Sequence, residues 1–148
     1  MFVRPVLCAV LCASAVGGCI RDKDQLDAEA LRLCAKDGGI KVYEQIEMPP
    51  EMFDRFGVII LSDATDVKPL GSRFELKEDT KYYRNGNPSL RREHAKIIRA
   101  SDGRVLGEVT TYHRVGGDWP GPWHDSTFVC PPNIGTASLK RSVFQMRR

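Results

Sequence analysis

The 148-residue chain carries 22 Lys and Arg against 19 Asp and Glu, and its formal charge of +3 is too small to indicate a nucleic acid or another polyanion as a partner. Its length suffices for one domain with its own core. No apolar run after residue 16 reaches the roughly 20 residues that a membrane-spanning helix needs.

The N-terminus has the parts of an export signal. Arg4 supplies a positive charge, and the apolar run from Pro5 to Val16 fits a signal h-region of roughly 7–15 residues. The run ends in Val16-Gly17-Gly18-Cys19, in which an aliphatic and two small residues precede a cysteine. This motif resembles the signals of bacterial lipoprotein precursors. The resemblance implies a diacylglycerol on the sulfur of Cys19, cleavage before Cys19, and acylation of the new amino group by a fatty acid such as palmitate.

Two alternatives stay open for this segment. It is an ordinary secretory signal, cut after Ala13-Ser14-Ala15, or it is retained on a cytosolic protein. Lipidation accounts better for Cys19, which ordinary secretion would leave as an odd exported thiol. Several acyl chains would anchor the protein stably, since each buried CH₂ contributes about 0.8 kcal/mol. Because Ile20 rather than Asp follows the cysteine, the resemblance implies the outer membrane, with the domain in the periplasm.

The lipoprotein interpretation divides the chain into a signal peptide (1–18), a lipidated tether (19–25) and one domain (26–148). Cys8 and Cys12 leave with the signal and Cys19 carries lipid, so Cys34 and Cys130 remain. In an oxidising compartment these two thiols are expected to form a disulfide. Two separate buried thiols, or a redox-active pair, are the alternatives, although the C-x-x-C spacing of redox pairs is absent.

The first half of the domain begins with a helix from about Gln25 to Asp37, whose apolar residues recur at helical spacing. Gly38 is expected to end it in the left-handed C′ conformation. A strand is predicted from Ile40 to Met48, a short helical turn from Glu51 to Phe56, and a buried strand from Val58 to Leu61.

The second half is predicted to be mostly strands. Phe74 and Leu76 alternate with charges, 81–84 extend that strand or form the next, and Asn85-Gly86-Asn87-Pro88 is a turn signal. A hairpin is predicted from His94–Ala100 and Val105–Arg114, because Asp102-Gly103 favours a two-residue turn.

That turn would place Ala100 opposite Val105 and Ile98 opposite Gly107, with Arg99 diagonal to Glu108. Phe128–Cys130 is predicted as a last strand, and the spacing of Leu139 and Val143 indicates a short C-terminal helix. The fold class expected is α+β, a small antiparallel sheet of about five strands with an N-terminal helix packed on it and one disulfide.

The segment Trp119-Pro120-Gly121-Pro122-Trp123 is the most unusual one of the domain. Two prolines stiffen the backbone and Gly121 permits a turn. Trp119 and Trp123 are candidate partner-binding residues, since Trp is enriched at binding hot spots. The alternative is that both indoles cover the open end of a small core.

His113, Asp118, His124 and Asp125 are close in sequence and are of types that ligate metals or move protons. Their spacing matches no metal motif. His124, Asp125 and Ser126 are neighbours whose side chains diverge in an extended chain, whereas a catalytic triad must converge. No metal, cofactor or catalytic residue is therefore expected.

Basic residues concentrate in the sheet region. Arg91 and Arg92, with Lys96, are candidates for contact with anionic headgroups, lipopolysaccharide or an acidic partner. A solvated sheet face is the alternative.

Three stretches of the domain resemble a loose group of bacterial envelope lipoproteins without an established activity. They are Leu33–Gly39 with Val42-Tyr43-Glu44, Tyr82–Pro88, and Gly116–His124 with Cys130-Pro131. The resemblance implies location and cysteine pattern but no catalytic residue.

Three functions are therefore weighed. The first is a membrane-anchored envelope lipoprotein with a small non-enzymatic binding or structural domain. The second is an inhibitor or accessory subunit that contacts an envelope enzyme or machine through the Trp-Pro-Gly-Pro-Trp segment. The third is a small hydrolase that uses His113 or His124.

Overall fold

The structure, a computed structural model, describes residues 22–60, 73–118 and 124–147. Within these ranges helix α1 spans 22–37, and a 3₁₀ turn at Pro50–Met52 follows two short strands. The strands and the second helix are, in chain order, β1 (Gly39–Val42), β2 (Ile46–Met48), β3 (Phe74–Arg84), β4 (Ser89–Arg99), β5 (Val105–Val115), β6 (Thr127–Cys130), α2 (Thr136–Val143) and β7 (Phe144–Met146).

Five of these strands form one antiparallel sheet in the order β1-β5-β4-β3, with β6 also paired to β5. Strand β1 pairs with 107–110 of β5 and β6 pairs with 112–115, so the two short strands lie end to end along one edge of β5. The predicted α+β class, with a helix on an antiparallel sheet of five strands, is confirmed.

Each face of the sheet carries a hydrophobic cluster, because successive residues of a strand point to opposite sides. On one side, here called the α1 face, helix α1 covers Leu90 and Tyr112. On the other, the α2 face, Leu139 and Val143 of α2 pack over Val109 and its neighbours. The two helices thus lie on opposite faces of the sheet, and each covers only part of its face.

Helix α1 has the predicted apolar stripe, since Leu26, Ala30, Leu33 and Cys34 face the sheet. It already includes residues 22–25, which were expected to belong to the tether. The left-handed residue is Gly39 (φ 115°) and not Gly38, so that detail of the prediction is wrong. The N–H of Gly38 still donates to the carbonyl of Cys34, and a Cβ at Gly38 would lie 2.7 Å from that oxygen.

The single strand predicted from Ile40 to Met48 is two strands. The amides of Tyr43 and Glu44 both donate to the carbonyl of Leu106, at 2.8 and 3.0 Å, so the chain leaves the main sheet there. Strand β2 then pairs in parallel with β7 instead. The alternation of apolar and polar residues in this segment does not predict the break, because the carbonyl that causes it belongs to Leu106 of β5.

The prediction for residues 51–61 is wrong in extent. The helical turn is confined to Pro50–Met52, and in place of a buried strand Ile59 forms an isolated bridge with Phe53. Ile59 is buried but Ile60 is half exposed, so only one face of this run meets the core. Leu61 lies outside the described residues.

The β4–β5 hairpin exists, but its predicted register is wrong. Ile97 pairs with Gly107 and Ile98 with Val105, so Leu106 bulges out of the ladder, with its side chain buried in the core. The hairpin closes between Arg99 and Arg104 and its loop is longer than two residues.

The expected proximity of Arg99 to Glu108 is also wrong, since Arg99 pairs with Glu44 and Asp102. Strand β4 begins at Ser89, five residues before the predicted start. The strand at Thr127–Cys130 and the helix at Thr136–Val143 match their predictions. Among the described residues no helix is long and apolar enough to cross a membrane.

Candidate binding cleft

A cleft of about 330 Å³ opens on the α2 face, between the middle of the sheet and the segment that leads into α2. Its floor is apolar: Ala95 and Val109 pair directly across β4 and β5 and are both buried. Ile134 closes one side as a third apolar residue. An apolar floor in a cleft of this size fits a small ligand or one side chain of a larger one.

Polar side chains rim this floor. Glu78 of β3 and Glu93 of β4 each supply a carboxylate, and His113 of β5 supplies an imidazole. The register brings them together, because Glu78 pairs with Ala95 and Glu93 pairs with Thr111, two residues before His113. The hydroxyl of Thr136 donates to Glu78 Oε1 at 3.0 Å and ties the far side of the cleft to β3.

His113 is held in a small polar network. Its Nε2 lies 3.3 Å from Glu93 Oε2 and 2.9 Å from Thr111 Oγ1, while Arg91 Nε donates to the other oxygen of Glu93 at 2.8 Å. Burial lowers the pKa of His113, Glu93 opposes that effect, and Arg91 adds to it. Because the pKa lies below its ordinary value of about 6.5, the imidazole is neutral at pH 7.

The geometry of His113 argues against a nucleophilic triad. In a triad the carboxylate binds one ring nitrogen and the hydroxyl binds the other, so that the ring passes a proton between them. Here Glu93 and Thr111 both meet Nε2. When Nε2 carries the proton that it donates to Glu93, the same nitrogen cannot accept a proton from the Thr111 hydroxyl. The arrangement is suited to recognition, with two carboxylates that accept hydrogen bonds.

A second network lies on the α1 face and is open to solvent. Glu108 accepts from the Tyr43 hydroxyl at 2.6 Å and lies 3.2 Å from His94 Nε2 and 3.5 Å from Lys41 Nζ. The Tyr43 hydrogen bond, followed by His94 and Lys41, lowers the pKa of Glu108, and the same bond raises the pKa of Tyr43. The four side chains interact with one another, so the network links β1 to β5 and β4.

The signal and the tryptophan segment contain three of the candidate residues. Cys19, Trp119 and Trp123 lie outside the described residues. Lipidation of Cys19 and partner binding by the two tryptophans stay predictions.

The two candidate arginines do not form one patch. They are neighbours on β4 and point to opposite faces. Arg91 binds Glu93 on the α2 face, whereas Arg92 Nε lies 3.7 Å from Asp37 Oδ2 at the end of α1. This buried Arg92 nitrogen has no hydrogen-bond acceptor within the described part of the chain.

The structure does not assemble the cluster His113, Asp118, His124 and Asp125. Asp118 accepts from Lys23 and from Ser126, and these bonds, that of Lys23 first, hold its pKa well below its usual range. His124 and Asp125 are exposed. Among residues 22–60, 73–118 and 124–147, no group of three His, Cys, Asp or Glu is arranged to hold a metal ion.

The predicted disulfide is present. Cys34 at the end of α1 and Cys130 at the end of β6 are bonded, with Cα atoms 5.9 Å apart and 96 residues between them in sequence. The bond joins helix α1 to the edge of the sheet. It therefore connects the first helix of the described residues with the C-terminal part of the domain.

The cleft carboxylates Glu78 and Glu93 were missed by the sequence analysis, in which neither has a role. The predicted hairpin register would place His113 opposite Arg92 and Glu93 on the other face, whereas in the observed register Glu93 and His113 share a face. Comparison with protein-family models, with curated proteins and with solved structures finds no match to this chain.

Proposed function

We propose that this chain is a lipid-anchored protein of the bacterial cell envelope whose single domain binds a ligand in the cleft of the α2 face and catalyses no reaction. The signal is removed and Cys19 carries the lipid. The domain lies in the periplasm, at the outer membrane. The observation that carries the binding role is the placement of two carboxylates and an imidazole around an apolar floor.

Two features support the proposal, the first for the lipid anchor and the second for export from the cytosol. The motif Val16-Gly17-Gly18-Cys19 at the end of an apolar run matches a lipoprotein signal. The remaining thiol pair of the described domain, Cys34 and Cys130, is oxidised, as expected of a protein outside the cytosol.

The ligand class follows from the charges of the cleft. Glu78 disfavours an anion, whereas the charge of Glu93 is partly balanced by Arg91, which donates to its Oε1 at 2.8 Å. A primary ammonium group on a short aliphatic chain complements both the carboxylates and the apolar floor of the cleft. The ammonium donates to the carboxylates, and the alkyl chain covers Ala95, Val109 and Ile134. A lysine side chain of a partner and a free alkylamine share this chemistry.

Mass spectrometry of the protein purified from native membranes tests the anchor. We expect residues 1–18 to be absent and an acyl mass at Cys19. A matched Cys19→Ser variant should lose both the acyl mass and the membrane association. An intact N-terminus without acyl mass on the wild-type protein would contradict the anchoring proposal and leave the cleft proposal standing.

Titration of the detergent-solubilised protein with pentylamine, followed by heteronuclear NMR, tests the cleft. We expect saturable shifts at the amides of Thr80, Ala95 and Thr111. Glu78→Gln should weaken the binding about tenfold, the loss expected for one hydrogen bond to a charged group. The control Glu75→Gln removes a charge from the same strand on the opposite face and should leave the affinity unchanged.

Pentanol separates charge recognition from simple occupancy of the apolar floor. An equal response to pentanol and pentylamine, or an unchanged affinity in Glu78→Gln, would contradict ammonium binding. A lysine-containing peptide and its acetylated form, compared in the same way, distinguish a protein partner from a free amine.

A further inference from the structure

One end of the domain brings the start of α1 against two sheet connections. Lys23 Nζ lies 2.6 Å from Asp118 Oδ1 and 2.9 Å from Ser126 Oγ, and Asp22 accepts from Arg84 at 2.9 Å. These residues, together with the turn 85–88 and Gly116-Gly117, are here called the anchor end. The helix therefore starts at the end of the sheet where β3 ends and β4 begins.

The anchor end is tightly packed. The side chain of Asn87 accepts from the Gly117 amide at 2.5 Å, so the β3–β4 turn rests on the β5–β6 connection. A Cβ at Gly116 would lie only 2.0 Å from Asn87 Oδ1, and one at Gly117 would meet Pro88 and Lys23 at 3.1 and 3.2 Å. Both glycines also have positive φ. This end is therefore held in one arrangement relative to α1.

The length of chain before the described residues limits how far the lipid can be from this end. Three peptide units separate Cys19 from Asp22, and they span about 11 Å at full extension. An acylated Cys19 thus lies within about 11 Å of the start of α1. The β4–β5 turn at 100–104 lies at the opposite end of 11-residue strands, about 35 Å away.

The side chains near the anchor end suit a lipid–water interface. Tyr82 and Tyr83, at the end of β3, are exposed by 51% and 42%. Lys81 lies over the ring of Tyr83, 5.2 Å from its centroid. Tyrosine is enriched where membranes meet water, because its ring is apolar and its hydroxyl is polar. Lysine beside it favours phosphate groups.

We propose that the anchor end contacts the phospholipid headgroups, so that the strands run away from the bilayer and the β4–β5 turn projects into the aqueous space. This inference rests on the proposed lipid anchor and adds a membrane-contact surface to it. The short link to Cys19 keeps this end near the bilayer, and Tyr82 and Tyr83 make the contact favourable. The cleft, in the middle of the sheet, is then held above the headgroups.

Fluorescence quenching by lipids labelled at the headgroup tests this orientation. The lipidated full-length protein is reconstituted into phosphatidylethanolamine–phosphatidylglycerol vesicles with a fluorophore at Asn85→Cys or at Ser101→Cys. Both positions are exposed turns, and Cys34–Cys130 is already oxidised. We expect quenching at position 85 to be at least about threefold stronger than at position 101, since their separation of about 35 Å exceeds the range of contact quenching.

A second pair guards against misfolding of a turn variant. Thr80→Cys and Glu75→Cys are exposed positions of β3, of which Thr80 lies nearer the anchor end, and they should show the same order of quenching. Equal quenching within both pairs, or stronger quenching at positions 101 and 75, would overturn the proposed orientation. Flotation with vesicles is measured first: its absence would refute the anchor itself, whereas flotation with equal quenching refutes only the orientation.

Discussion

Arg114 of β5 and Asp27 of α1 form a two-pronged ion pair that joins the helix to the sheet. The Nε–Oδ1 distance is 2.7 Å and the Nη2–Oδ2 distance is 3.1 Å. The remaining nitrogen of Arg114 donates to the carbonyls of Gly116 and Ser126 and to the Ser126 hydroxyl. The arginine side chain is almost fully buried, so one residue holds α1, the end of β5 and the start of β6 together.

Replacement of Arg114 by Met should therefore be strongly destabilising. It leaves the Asp27 carboxylate and the Gly116 carbonyl without the donor that Arg114 supplies, and the loss of one partner of a buried ion pair costs about 3–5 kcal/mol. Urea denaturation monitored by circular dichroism measures the effect. Arg32→Met, which breaks the exposed pair with Glu29 on the same helix, is the control and should not shift the midpoint measurably. Similar midpoints for both variants would contradict this role of Arg114.

The disulfide is predicted to stabilise the fold mainly by reducing the conformational entropy of the unfolded chain. It closes a loop across 96 residues, for which chain entropy gives about 4.7 kcal/mol, although measured values are often lower. The double variant Cys34→Ser/Cys130→Ser should lose about 3–4 kcal/mol in urea denaturation. Wild-type protein unfolded and refolded under reducing conditions is the matched comparison and should show the same midpoint. A double variant as stable as the oxidised protein would contradict the prediction.

Gly107 of β5 lies against helix α2 and has no room for a side chain. A Cβ there would lie 2.7 Å from Val143 Cγ2 and 3.0 Å from the Lys41 carbonyl. Gly107→Ala should thus cost about 1–3 kcal/mol by overpacking, and Val143→Ala in the same chain should recover part of that cost. Gly135→Ala, where a Cβ would meet nothing within 4 Å, serves as the control. Thermal unfolding of the wild type, Gly107→Ala, Val143→Ala and the double variant gives the coupling, and strictly additive losses would contradict a direct clash.

The elements predicted correctly are those whose signal is local. The stripe of α1 and the spacing of Leu139 and Val143 follow the period of a helix, and each of these elements buries the face that the sequence indicates. The cysteine count alone pointed to the pairing of Cys34 with Cys130. The fold class and the disulfide between Cys34 and Cys130 could therefore be predicted from the sequence.

The errors have a common physical origin in contacts between distant residues. The carbonyl of Leu106 binds the amides of Tyr43 and Glu44, 63 and 62 positions earlier, which ends β1 and accompanies the bulge that shifts the hairpin register. The cleft was missed for the same reason. His113 was identified by residue type, but its association with Glu93 and Glu78 depends on the registers of three strands, which local alternation does not determine.

The buried His113 should make the stability of the protein depend on pH. Its pKa is lowered in the folded state, chiefly by burial, so below about pH 6.5 the unfolded chain binds more protons at this position than the folded one. The free energy of unfolding should therefore decrease as the pH falls from about 7 to about 5, a range above the ordinary pKa of carboxylates.

His113→Gln should reduce that slope, whereas Thr111→Val, which removes the hydroxyl beside Nε2 but no titrating group, should keep a slope of the same sign. Urea denaturation at intervals across this pH range decides the matter: parallel curves for wild type and His113→Gln would show that the imidazole is not held in its neutral form by the fold.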